Sequence, residues 1–188
     1  MRWGVPEEAS DDHMSSLLCL QEIYNCQKVS TGPSFVTFLN QKHGYRPLPL
    51  TIVSSEYNLL VQTLIDSGED SALLVKWYKE DLNAVPPVHV LQPISATIPD
   101  YKSKLKHYKK INIVLLNIVR HPLKNGKNGK QIYDTLGQKL RLASQICFEN
   151  KKLSEEDKLK YFMSVTEEEI LLIKNYPAIG NNLLHQII

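Results

Sequence analysis

The residue with the most chemical promise in this chain is Glu56, a carboxylate that opens an amphipathic stretch just past a short apolar run. A carboxylate there can stabilise positive charge that develops in a transition state. It can equally sit in the first turn of a helix and favour the positive end of the dipole. Upstream, Arg46 stands between Tyr45 and Pro47. A guanidinium in such a loop can hold a phosphate or a partner carboxylate, so Tyr45 and Arg46 are the candidate ligand or partner contacts. Asp11, Asp12 and His13 have the donor types of a metal site. Adjacent side chains on a helix cap rarely converge on one ion, so capping of the following helix is expected and no metal. Gly126-Lys-Asn-Gly-Lys130 imitates a phosphate-binding loop. Its spacing fails, since two residues separate the glycines where four are needed and no Ser/Thr follows the lysine.

The elements that must position these groups follow from periodicity. Residues 35–39, Phe-Val-Thr-Phe-Leu, are β-branched and aromatic and flanked by turn residues, which predicts a buried strand. Ser54 or Ser55 can cap a helix in which Tyr57, Leu60, Val61, Leu64 and Ile65 form one core-facing stripe, ended by Ser67-Gly68. Residues 70–79 read as a short helix carrying Leu73, Leu74 and Trp77; residues 83–87 are a turn, and residues 88–91 a further strand. Beyond residue 130, Ile132, Leu136, Leu140, Ala143 and Cys147 mark an amphipathic helix. Ser154 and Thr166, each followed by acids, predict two more helix starts. Strand and helix alternating in this order predict an α/β fold with right-handed crossovers and a mostly parallel sheet.

The totals narrow the class. At 188 residues, 43% apolar and 22% charged, the chain can bury a real core and is neither disordered nor fibrous. Charge is uneven along it. Between residues 100 and 130 there are nine Lys or Arg and one acid, a net of +8 against +2 for the whole, so the rest sums to −6. The candidate basic patch is Lys102, Lys104, Lys106, Lys109, Lys110, Lys124, Lys127 and Lys130. Basic charge attracts RNA or acidic lipid. Without interleaved aromatics or a recognisable module, a solvated insert is the expectation and nucleic acid is not an expected partner. Cys19, Cys26 and Cys147 form no CxxC pair, which fits reduced thiols in the cytoplasm. The most apolar run, residues 111–119, is far short of the ~20 residues of a membrane span.

Several ordered blocks stand out: Met1-Arg-Trp-Gly-Val5, Leu18-Cys-Leu-Gln-Glu-Ile23 with Cys26-Gln27, the run from Gly32 to Pro49, Trp77-Tyr78, Asp81-Leu-Asn-Ala-Val-Pro-Pro87, Val90-Leu-Gln-Pro93, and Tyr161-Phe-Met-Ser-Val-Thr-Glu-Glu-Glu-Ile170. Together they resemble the N-terminal region of NACHT and WD repeat domain-containing proteins. The resemblance implies a TIR- or flavodoxin-like domain over residues 1–98, its first strand and helix missing before Met1. A basic insert at 99–130 and a helical segment at 131–188 follow, in a truncated or partial form. It implies a non-catalytic interaction or signalling module of a STAND-type NTPase family, cytoplasmic, with a protein partner and self-association. It requires no cofactor. The alternative it implies is an NAD hydrolase in which Glu56 acts at the nicotinamide–ribose bond.

Overall fold

A computed structural model describes residues 11–32, 34–38, 44–97, 129–175 and 186–187. In chain order the elements are α1 (Ser15–Val29), β1 (Thr37–Phe38), β2 (Thr51–Val53), α2 (Ser54–Asp66), α3 (Ala72–Trp77), β3 (Tyr78–Asp81), β4 (Val88–Leu91), α4 (Ile94–Thr97), α5 (Gly129–Glu149), α6 (Glu155–Leu159), α7 (Val165–Asn175) and β5 (Gln186–Ile187). They divide between two compact units. One comprises residues 1–10, 14–47 and 162–188, the other residues 11–13 and 48–161.

The second unit is built on a three-stranded sheet in the order β2-β4-β3. Both pairings are antiparallel, and His89 on the central strand lies opposite Ile52 on one side and Glu80 on the other. The expected parallel, TIR- or flavodoxin-like sheet is therefore corrected. A parallel neighbour needs a crossover of a dozen or more residues. Residues 82–87 instead form a short turn in which Asp81 accepts the Asn83 amide at 2.9 Å, and the chain doubles back as a hairpin. The helix expected over residues 70–79 ends at Trp77, and β3, the strand that makes this possible, takes over its last two residues. Tyr-Lys-Glu-Asp has no β-branched residue, and only its pairing with β4 makes it a strand.

Helix α2 starts where β2 stops and packs against α5. The expected stripe is buried at Tyr57, Leu60 and Leu64, whereas Ile65 at its edge is exposed. Facing it are Leu136, Leu140, Ala143 and Cys147 of α5, all at 1% exposure or less. A fully buried leucine contributes about 1.5–3 kcal/mol, so this helix pair is a main source of the unit's cohesion. Thr63 is accommodated there by giving its hydroxyl to the Leu59 carbonyl at 2.8 Å, with the Cys147 Sγ 3.1 Å away. Gly68, at φ +78°, turns the chain out of α2 in the left-handed region that glycine alone adopts without strain. This lets the Glu69 amide reach the Leu64 carbonyl at 2.9 Å.

In the first unit α1 packs on α7, and β1 pairs in parallel with β5, Thr37 opposite Gln186. The strand expected at 35–39 is shorter than its pattern, and Val36 beside it is 53% exposed, so the run is no fully buried strand. Leu39 lies outside the described residues. The cap of α7 is Ser164 rather than Thr166. Ser164 and Glu167 exchange bonds, with the Ser164 amide donating to the Glu167 carboxylate at 2.7 Å and the Glu167 amide to Ser164 Oγ at 3.3 Å. Ser154 caps α6 as expected, accepting the Asp157 amide at 3.0 Å. No helix among the described residues is long and apolar enough to cross a membrane.

Candidate functional site

Glu56 occupies the first turn of α2, where the aligned peptide dipoles favour a negative charge. Its side chain is only 12% exposed, and both carboxylate oxygens are engaged. Tyr161 donates its hydroxyl to Oε1 at 2.5 Å, and the Lys160 ammonium donates to Oε2 at 2.5 Å. Lys160 is also 3.9 Å from the Asp157 carboxylate of α6. Tyr161 is 2% exposed. Burial first, and then its bond to Glu56, push the phenol far above the ordinary tyrosine range, so it stays a proton donor. Glu56 thus fastens the start of α2 to the chain that leaves α6.

One residue on, the Tyr57 ring stacks on the His89 imidazole with centroids 3.8 Å apart and an interplanar angle of 14°. It also lies 5.8 Å from the Tyr78 ring. The Tyr57 hydroxyl is buried without a hydrogen-bond partner among the described residues, and desolvation raises it to about 12. His89 is fixed by a 3.1 Å bond between its Nδ1 and the Ser54 hydroxyl, while burial pulls the imidazole below its usual value against the pull of Glu80. Tyr78, deep in the core, gives its hydroxyl to the Pro49 carbonyl at 2.7 Å. Carboxylate, phenols and imidazole therefore gather around the start of α2, all bonded to neighbours except the Tyr57 hydroxyl.

Tyr45 and Arg46 belong to the first unit. The Tyr45 carbonyl accepts the Val165 amide at 3.0 Å, the residue is 55% exposed, and Arg46 is half-buried with its Nε unpartnered among the described residues. Lys130 lies in the first turn of α5. Lys102, Lys104, Lys106, Lys109, Lys110, Lys124 and Lys127 lie outside the described residues. Asp11 caps a helix, though not the one that follows it. It accepts the Ser95 amide at 2.7 Å and the Ser95 hydroxyl at 2.6 Å, in α4, while α1 starts with no side-chain cap. No group of metal-ligating side chains occurs among the described residues. Of the groups that hold Glu56, the sequence offered no sign. Lys160 and Tyr161 stand more than a hundred residues downstream, separations of 104 and 105.

Over 98 residues, 52% of its length, the chain is 36% identical to NACHT domain- and WD repeat-containing protein 1 of Mus musculus. With NACHT and WD repeat domain-containing protein 2 of Homo sapiens it shares 26% identity over 181 residues, 94% of the chain. Against the Homo sapiens protein 1 the identity is 35% over 92 residues. The chain spans only 6% of either protein 1 and 10% of the human protein 2. No family model and no solved structure matches it. The chain is therefore a homologue, over a small part of their length, of NACHT and WD repeat domain-containing proteins 1 and 2.

Proposed function

We propose that this chain is a non-catalytic protein-interaction module of a NACHT and WD repeat protein, working in the cytoplasm in signalling or assembly. The observation that carries this reading is the state of Glu56. Both of its oxygens are taken by Lys160 and Tyr161 of its own unit, so the foremost catalytic candidate is accounted for as a structural tie. Around it, Ser54, His89 and Tyr78 are likewise bonded within the unit. The homology to NACHT and WD repeat proteins supports the setting.

The experiment is to incubate the purified protein with NAD and follow nicotinamide release. None above the buffer control is expected, and Glu56→Ala should leave that baseline unmoved. Release by the wild type that disappears in a folded Glu56→Ala variant would replace this reading with an NAD hydrolase.

A further inference from the structure

We propose that residues 11–13 form a pH-sensitive latch, in which the neutral His13 ring holds this segment on the second unit and its protonation releases it. Residues 11–13 belong to that unit although the chain on either side of them does not. His13 is what plugs them in. Its Nε2 lies 3.1 Å from the Gln92 carbonyl oxygen, which can only accept, so Nε2 carries the proton and the neutral ring meets that bond. The ring lies edge-on to Trp77 of α3, centroids 6.3 Å apart, and stacks on Tyr133 of α5 at 6.0 Å. The backbone confirms that the fit is enforced. His13 sits at φ +59°, in the left-handed region that a residue with a side chain keeps only when its surroundings demand it.

A proton on Nδ1 would put a unit charge and a second donor between two aromatic rings. The groups facing the ring divide over this. Asp11 and Asp12 on the same segment and the Gln92 carbonyl favour the cation. Trp77 and Tyr133 present aromatic rings to it, and burial holds the nearby Tyr78 phenol well above the ordinary tyrosine range. Burial outweighs them and holds the imidazole below its ordinary 6.5. When the segment comes away, the ring regains water and its usual proton affinity. Acid therefore favours release, by up to about tenfold per pH unit below 6.5 until the folded value is passed. Asp11, bonded twice to Ser95, shares the hold.

The test uses the full chain. The His13 ring proton is followed by NMR from pH 8 to 5, and hydrogen exchange of residues 11–14, corrected for intrinsic rate, is measured over the same range. A ring titrating below 6.5 and protection falling with pH are expected. His13→Gln keeps a donor for the Gln92 carbonyl but carries no charge, so its protection should be flat. His89→Gln should retain the wild-type slope, since His89 also titrates low but lies elsewhere in the unit. If His13→Gln fails to fold, the wild-type ring titration decides alone. A ring titrating at 6.5 or above, or a slope that survives in folded His13→Gln, would overturn the latch.

Discussion

Replacing Asp11 by alanine tests whether a residue expected to cap its own helix instead fastens a distant one. Asp11 is 6% exposed and takes two short bonds from Ser95, one from the amide and one from the hydroxyl. A hydrogen bond to a charged acceptor contributes about 1.5–3 kcal/mol, and a donor left without its partner costs about 1–3 kcal/mol. Ser95 is only half-buried, so water recovers part of the loss. The expected cost of Asp11→Ala is therefore about 2–4 kcal/mol, against ~1 kcal/mol for an ordinary N-cap. Asp11→Asn keeps one acceptor oxygen and should lose about half as much. Urea unfolding with an unchanged slope gives the difference directly. Ser95→Ala should make Asp11→Ala nearly silent with respect to the shared bond to the hydroxyl, because coupled partners are non-additive. An Asp11→Ala loss below ~0.5 kcal/mol would refute the placement of residues 11–13.

Three further outcomes follow from the same geometry. Gly68→Ala meets no atom within 4 Å, so its cost is the φ +78° backbone alone, about 1 kcal/mol by thermal or urea unfolding. Cys26 is exposed and Cys147 fully buried, so a thiol reagent should label Cys26 in the native protein and Cys147 only on unfolding, as read by peptide mass mapping. His13 and His89 both bind their protons less readily folded than unfolded. Stability is thus complete above 6.5 and declines as pH falls from there towards the depressed folded values, and His89→Gln should reduce that decline in a urea series.

Much of this fold was legible where local pattern and tertiary need agree. The stripe of Tyr57, Leu60 and Leu64, the stripe of Leu136, Leu140, Ala143 and Cys147, the strand at 88–91 and the Ser154 cap all carry their burial or bonding in their spacing. What was not legible depends on distant partners. Tyr78–Asp81 is a strand because β4 lies beside it, and nothing in its side chains says so. Asp11 has the type of a helix cap, yet the donor it finds lies 84 residues away. Ser164 and Glu167 outbid Thr166 for the start of α7, a matter of two residues that the acidic run alone leaves open. Glu56 was placed correctly at the start of a helix, but its two partners could not be read. The family resemblance was sound, and the homologues bear it out, while the sheet direction it implied was not.

The central claim is that Glu56 is a tie between α2 and the chain after α6, and a double-mutant cycle with Tyr161 measures that tie most directly. Glu56→Ala strands the buried Tyr161 hydroxyl and frees Lys160, for an expected loss of about 2–4 kcal/mol. A carboxylate that merely served the dipole would cost only about 0.3–1 kcal/mol. Tyr161→Phe removes the stranded group, so in that background Glu56→Ala should cost less by about 1–2 kcal/mol. Coupling of that size is the result this account predicts. Independent, additive losses, with Glu56→Ala near the dipole value in both backgrounds, would contradict it and return Glu56 to the list of groups free to act on a substrate.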